Sequence, residues 1–220
     1  MRSRQILATK QRPHPWLKAE RPAILGDMEK LDRDSYEGEK FEGLDLSGQS
    51  LVERTFSDCD FSGCDFSEAD LSRSEFEGCL FRDCNLSNPK IDRARLLDIR
   101  FEGCKIAGLN FYHCEQMGFD FSFEACHLMG CNFSELKMKR ARFARCKLED
   151  CGFEGSYLVE ASFEGSTFSA CLFHEAELEK ASFVDAHGYN IDPRTNKIRK
   201  AVFSVPDVLG LLDCFDIVVK

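Results

Sequence analysis

Every fifth residue is apolar over most of this chain, and neither regular secondary structure tolerates that period. Fifteen consecutive positions obey it, from Phe41, Leu46, Leu51 and Phe56 through to Ile106 and Phe111. After a slip of two residues the register resumes at Phe123 and holds for thirteen more positions, ending at Leu178 and Phe183. On an α-helix successive hits would rotate by about 140°, so no apolar stripe forms; on a flat strand they would alternate between faces. The chain must therefore turn once in every five residues.

A second, smaller layer lies two residues before these positions. Cys59, Cys64, Ala69, Ser74, Cys79 and Cys84 carry it in the first run, and Cys126, Cys131, Ala141, Cys146, Cys151, Ser156 and Ala161 in the second. One large and one small inward residue per five, with polar residues between, describes one side of a narrow coil. Four such sides close a square turn of twenty residues. That spacing stacks residues of one type: Phe41, Phe61, Phe81 and Phe101; Phe123, Phe143, Phe163 and Phe183; Phe133, Phe153 and Phe173. Coils pairing as parallel strands rise by about 4.8 Å, a distance at which like rings fill a thin core. Each coil buries its apolar side chains only against its neighbours, so the array folds as a unit and needs capped ends.

Segments such as CDFSGCDFSEADLSRSEFEG and ASFEGSTFSACLFHEAELEKASFVD resemble the pentapeptide-repeat family, and the resemblance covers about residues 31 to 187. It implies an all-β solenoid, a right-handed quadrilateral β-helix.

One domain is expected for 220 residues. No apolar run approaches the roughly 20 residues that span a bilayer, and the N-terminal stretch lacks the apolar core of a signal peptide, so a cytoplasmic protein is expected. Twelve cysteines suggest a disulfide or metal framework at first sight, yet eleven of them, Cys114 included, fall at the small inward position and only Cys214 does not. Stacked in parallel, Cys64, Cys84 and Cys104 suit neither the converging geometry of a disulfide nor a tetrahedral zinc site. They read as reduced, small apolar filler, with no metal or cofactor expected.

Charge is arranged in blocks. Residues 1–22 carry six bases and one acid, residues 31–87 fifteen acids and five bases, and residues 88–148 seven acids and eleven bases. Residues 149–187 carry nine acids, Glu149, Asp150, Glu154, Glu160, Glu164, Glu175, Glu177, Glu179 and Asp185, against one base. The expected rod is thus acidic at both ends, with a basic waist at Lys137, Lys139, Arg140, Arg142, Arg145 and Lys147. Such blocks are commonly a solvated surface and nothing more.

Three segments lie outside the regular pattern. Residues 1–27 have no apolar period and read as a flexible basic tail, with a nucleic-acid-binding arm as the alternative; Met28 is a second candidate start. The repeat array is expected over 28–187, with the register slip at 112–122 read as a bulge near Gly118 that divides the solenoid into two stacked segments. Residues 188–220 form a C-terminal segment with a turn at Asp192-Pro193. In it Ser204 is expected to cap a short helix that places Val205, Val208, Leu209, Leu212 and Phe215 on one face, followed by a strand at Ile217-Val218-Val219. This module either caps the coil or, having more apolar surface than a cap needs, forms a dimer interface through Val208, Leu209, Leu212, Phe215 and Ile217.

Two runs of repeats, a central slip and an apolar C-terminal module resemble the topoisomerase-interacting members of the family, the Qnr, MfpA and AlbG group, in their loop-less form. That resemblance implies a twofold dimer through the C-terminal segment, a rod with the size and negative charge of B-form DNA, and DNA gyrase or topoisomerase IV as partner. Quinolone resistance, or resistance to a natural gyrase poison, would be the consequence. The nine carboxylates from Glu149 to Asp185 are then the expected partner surface. The alternative is a generic interaction scaffold whose acidic exterior serves solubility. An enzyme is not expected: His14, His113, His127, His174 and His187 are scattered, and no phosphate-binding glycine loop is present.

Overall fold

In the computed structural model of the chain, the described residues are 31–115 and 120–218. The expectations for the basic tail, Met28, Gly118 and Val219 fall outside them. What is described is a parallel β-solenoid with four faces, three of them carrying sheets of four, five and six short strands. The strands are mostly three residues long with the central one buried, as Ser35–Glu37 and Asp60–Ser62 illustrate. Partners are twenty residues apart: Tyr36 pairs with Phe56, Phe41 with Phe61, and Phe61 with Phe81. The fourth face is held by isolated bridges such as Asp70 to Lys90 and Asn132 to Gly152.

The corners explain the five-residue period. Two residues after each inward apolar position the backbone takes a positive φ, at Glu53, Asp58, Glu68, Arg73, Asp83 and Asn88, with Gly63 and Gly78 filling the same role. A single left-handed residue per side turns the chain toward the next face. At Gly188, which stacks over Phe168, packing also excludes a side chain, because a Cβ there would run into the Phe168 carbonyl oxygen.

Inside, the columns expected from residue identity are present and longer than the sequence pattern suggested. Phe41, Phe61, Phe81, Phe101, Phe123, Phe143, Phe163, Phe183 and Phe203 stack in one file, with centroid separations between 4.8 and 5.3 Å. Eight such steps make a stack roughly 40 Å tall at the parallel-strand spacing. Phe111 joins Phe133, Phe153 and Phe173 in a second file. Rings of adjacent files meet edge to face, as Phe143 and Phe153 do at 5.8 Å and 86°, a geometry that adds about 0.5–1.5 kcal/mol per pair beyond area burial.

The slip does not divide the solenoid. Phe101 pairs directly with Phe123, so the column crosses it unbroken. The Glu115 N–H bonds the Ala94 carbonyl in the ordinary twenty-residue step, whereas Phe121 already pairs with Ile99. The two extra residues therefore fall between 115 and 121. Phe121, Ile99 and Leu109 are buried near it, at the position that in most coils holds Cys, Ala or Ser.

Parallel pairing also continues beyond residue 187, through Phe173 to Ile191, Glu177 to Lys197 and Phe183 to Phe203. Then comes a 3-10 helix, Asp207–Phe215, ended by Asp216 in the left-handed conformation. Its start differs from the sequence expectation. Pro206 stands at the N-cap, and the Ser204 hydroxyl, expected to cap the helix, instead accepts the Asp185 N–H at 2.9 Å. Ile217 and Val218 form no strand; the strand of this segment is Val202–Phe203, before the helix, where Phe183 offers an open edge to pair with.

Candidate functional site

The helix type decides which apolar residues share a face. At three residues per turn, side chains i and i+3 eclipse. Val208, Leu211 and Cys214 thus form one row, all partly buried, and Leu211 packs on the end of the core. Leu209, Leu212 and Phe215 form the next row, and Leu209 and Phe215 remain 44% and 49% exposed. An α-helical period had placed Val208 with Leu209 and Leu212, and had not singled out Leu211; three residues per turn separates Val208 from the outer row. Val205, Ile217 and Val218 extend the exposed apolar surface on either side. The segment is fastened to the coil by polar contacts: His187 Nδ1 lies 2.9 Å from Asp207 Oδ2, and Arg194 forks onto Asp192 while its guanidinium sits 5.7 Å from the Phe215 ring centroid. The fork holds the Asp192 carboxyl down at about 2, below the usual carboxylate range.

The nine carboxylates of the second acidic block do not gather into one patch. Glu177 and Glu179 flank Leu178 on one face, Glu164 follows Phe163 on the next, Glu149 follows Leu148 on the third and Glu154 follows Phe153 on the fourth; Asp150, Glu160, Glu175 and Asp185 stand at corners. They form a belt around the rod. Several are neutralised from neighbouring coils. Glu160 lies between Arg140, at 2.8 Å, and Lys180, at 3.2 Å; Glu177 meets Lys197 at 2.5 Å, and Glu149 meets Lys147 and His127. These contacts lower the Glu149 and Glu160 pKa values, through the Lys147 and Arg140 hydrogen bonds first. Asp150, Glu154, Glu164, Glu179 and Asp185 take no part in the ion pairs of the described residues.

The same pairing consumes most of the basic waist. Arg142 and Arg145 both reach Glu124, Arg140 reaches Glu160 and Lys147 reaches Glu149, which leaves Lys137 and Lys139 exposed on the surface. Arg73 with Glu53, Arg95 with Glu75 and Arg82 with Glu102 follow the same rule of opposite charges twenty residues apart. Sequence reading missed these pairs, though the twenty-residue stacking predicts them once it is applied to outward residues.

The thiols behave as filler. Eleven are buried and unpaired in disulfides, and only Cys214 is half-buried. In one column Cys64, Cys84, Cys104, Cys126 and Cys146 each donate a weak hydrogen bond, 3.3 to 3.5 Å long, to the carbonyl of Phe41, Phe61, Phe81, Phe101 and Phe123 respectively. Ser166 continues the column with a shorter bond to Phe143, 2.8 Å. Burial pushes the Cys79 and Cys114 thiols up to about 12, so they stay protonated and unreactive at neutral pH. Among the described residues no group of His, Cys, Asp or Glu side chains could hold a metal ion, and no helix is long and apolar enough to cross a membrane.

Comparison with known proteins agrees with this geometry. The sequence profile described as a pentapeptide repeat region matches residues 30–111 and 74–147, and that of pentapeptide repeats in eight copies matches residues 153–187. The chain belongs to the pentapeptide-repeat family. Among solved structures it is similar to a trypsin-treated variant of QnrB1, a plasmid-mediated fluoroquinolone resistance protein, at 20% identity and a TM-score of 0.56, over 84% of this chain and 97% of that one. It is also similar to HetL from the cyanobacterium Nostoc, a pentapeptide-repeat protein involved in heterocyst differentiation regulation, at 14% identity and a TM-score of 0.52, over 80% and 90% of the two chains. At these identities the likeness is one of fold. No curated protein sequence matches the chain.

Proposed function

We propose that this pentapeptide-repeat protein is a non-enzymatic, cytoplasmic homodimer that binds DNA gyrase or topoisomerase IV as a partial mimic of duplex DNA. The consequence would be altered sensitivity to quinolones or to a natural gyrase poison. The observation that carries the reading is the apolar row in which Leu209 and Phe215 are exposed and Leu212 half-buried, continued by exposed Ile217, at the end of a rod whose adjoining coils are belted with carboxylates. Leu211 covers the coil end, whereas Leu209 and Phe215 of the outer row stay exposed among the described residues. Burying it against a second copy places two acidic belts on either side of a twofold axis. Type II topoisomerases grip duplex DNA through basic surfaces, and a fixed array of carboxylates competes for such surfaces. The similarity to a fluoroquinolone resistance protein in fold points the same way.

A second reading, a generic interaction scaffold, is favoured by the cross-coil ion pairs, which neutralise Glu160 and Glu177 of the belt, and by the likeness in fold to HetL. Titration of the purified protein into a gyrase supercoiling assay, with and without a quinolone, separates the two. Inhibition or drug rescue at micromolar protein is expected from the topoisomerase reading. No effect on gyrase or topoisomerase IV would leave the scaffold.

A further inference from the structure

The corner between the fourth and first faces opens into a cleft of about 380 Å³ lined by Arg73, Ser74, Glu75, Arg93, Arg95 and Glu115. Its charges can be accounted for one by one. Arg73 and Arg93 occupy the same corner in successive coils, with φ of 57° and 55°, so their side chains leave the rod one above the other. Arg73 is neutralised on its far side by Glu53, whose carboxylate accepts its Nε–H at 2.7 Å. Arg95 and Glu75 are register partners and form an ion pair. Ser74 is buried, with its hydroxyl turned onto the Leu71 carbonyl, and so offers no donor to the cleft. His113, above Arg93 in the same corner, lies 3.3 Å from Asp92.

Two charges remain. Arg93 stands directly above Arg73, whose charge Glu53 meets from the coil below. Glu115 sits one coil above Arg95, through its N–H to the Ala94 carbonyl. Neither Arg93 nor Glu115 belongs to an ion pair among the described residues, although both line the same cleft. We propose that this cleft binds a small zwitterion, a molecule carrying a carboxylate and an ammonium group. Arg93, supported by the remaining donors of Arg73, takes the carboxylate; Glu115 takes the ammonium. The volume is at the lower end of small-molecule sites, about 300–1,000 Å³. This site is independent of the acidic belt and of the C-terminal segment.

Calorimetry on the full chain at low ionic strength, with the ω-amino carboxylates from glycine to 6-aminohexanoate as probes, tests the proposal, and the best chain length reports the distance between the two charges. At least one member should bind saturably, far more tightly than acetate or methylammonium alone. Arg93→Gln and Glu115→Gln should each weaken that binding about tenfold, the scale expected when one partner of a charged contact is removed. Both residues are exposed, so the variants should keep the wild-type melting temperature, which is measured alongside. No saturable binding by any member, affinity unchanged in either variant, or acetate or inorganic phosphate binding as tightly as the best zwitterion overturns the proposal.

Discussion

Phe143, midway along the stack, is fully buried between Phe123 and Phe163, whereas Phe215, in the C-terminal helix, leaves half of its surface to solvent. Both are aromatic residues of one chain, only 72 positions apart. In the coil each apolar side chain has a like neighbour above and below, supplied by the repeat, and its environment is complete within the monomer. In the terminal segment the repeat has ended, one row of the helix covers the last coil, and the other row has no coil left to meet. The difference separates residues that hold the fold from residues available to a partner.

The largest expected effect breaks the first half of this comparison. Phe143→Ala removes a ring from the middle of the file and should cost about 3–5 kcal/mol in urea-induced unfolding, the range for large cavities in packed cores. Phe215→Ala should cost less than about 1 kcal/mol in the same measurement on dilute protein, as for a half-exposed side chain. If Phe215→Ala were as costly as Phe143→Ala, the terminal segment would be part of the core and not a free surface.

The second prediction concerns the outer row. Leu212→Asp should halve the mass measured by light scattering at micromolar concentration, while leaving the unfolding midpoint of the dilute protein nearly unchanged. An unaltered mass would place any dimer contact elsewhere.

A third prediction sharpens the account of the thiol column. Ser166→Ala leaves the Cys146 N–H without the acceptor it has at 2.9 Å and frees the Phe143 carbonyl, at a cost of about 1–3 kcal/mol. Ser166→Cys restores the column type and should recover part of that loss. In the native protein only Cys214 should react with a thiol reagent within minutes.

The smallest effect is that of pH. The carboxylates of Glu149, Glu160 and Asp192 have folded-state pKa values below their ordinary ones, so the stability they contribute is fully present above the unfolded value of about 4. It should be lost as pH falls, reaching completion for Asp192 only below about pH 2. All three lie at the surface, so a modest decline in melting temperature between about pH 5 and pH 2, reduced by salt, is the expected result.

Much of this was legible in the sequence because a five-residue period admits few chain paths. Phe41, Phe61 and Phe81 had to stack once a coil took twenty residues, and the cysteines had to point inward. The slip was legible in position and not in consequence: nothing local says that Phe101 would still stack on Phe123 across it. The terminal helix was legible as apolar and helical. Its 3-10 winding was not, and with it the separation of Leu211 from Leu212, because intrinsic propensities do not distinguish the two windings. The surface was least legible. Block charges suggested a basic waist, but Glu160 one coil away, Glu124 in the neighbouring coil and Glu149 on the same strand meet its arginines and lysines, and only that three-dimensional neighbourhood shows how much charge is left over.

Displacement of a labelled duplex from DNA gyrase, followed by fluorescence anisotropy as the protein is added, tests the proposed mimicry most directly. The account predicts saturable displacement by the wild-type protein, weakened by salt and lost in Leu212→Asp. Binding to gyrase without displacement of DNA, or equal displacement by the Leu212→Asp monomer, would contradict it.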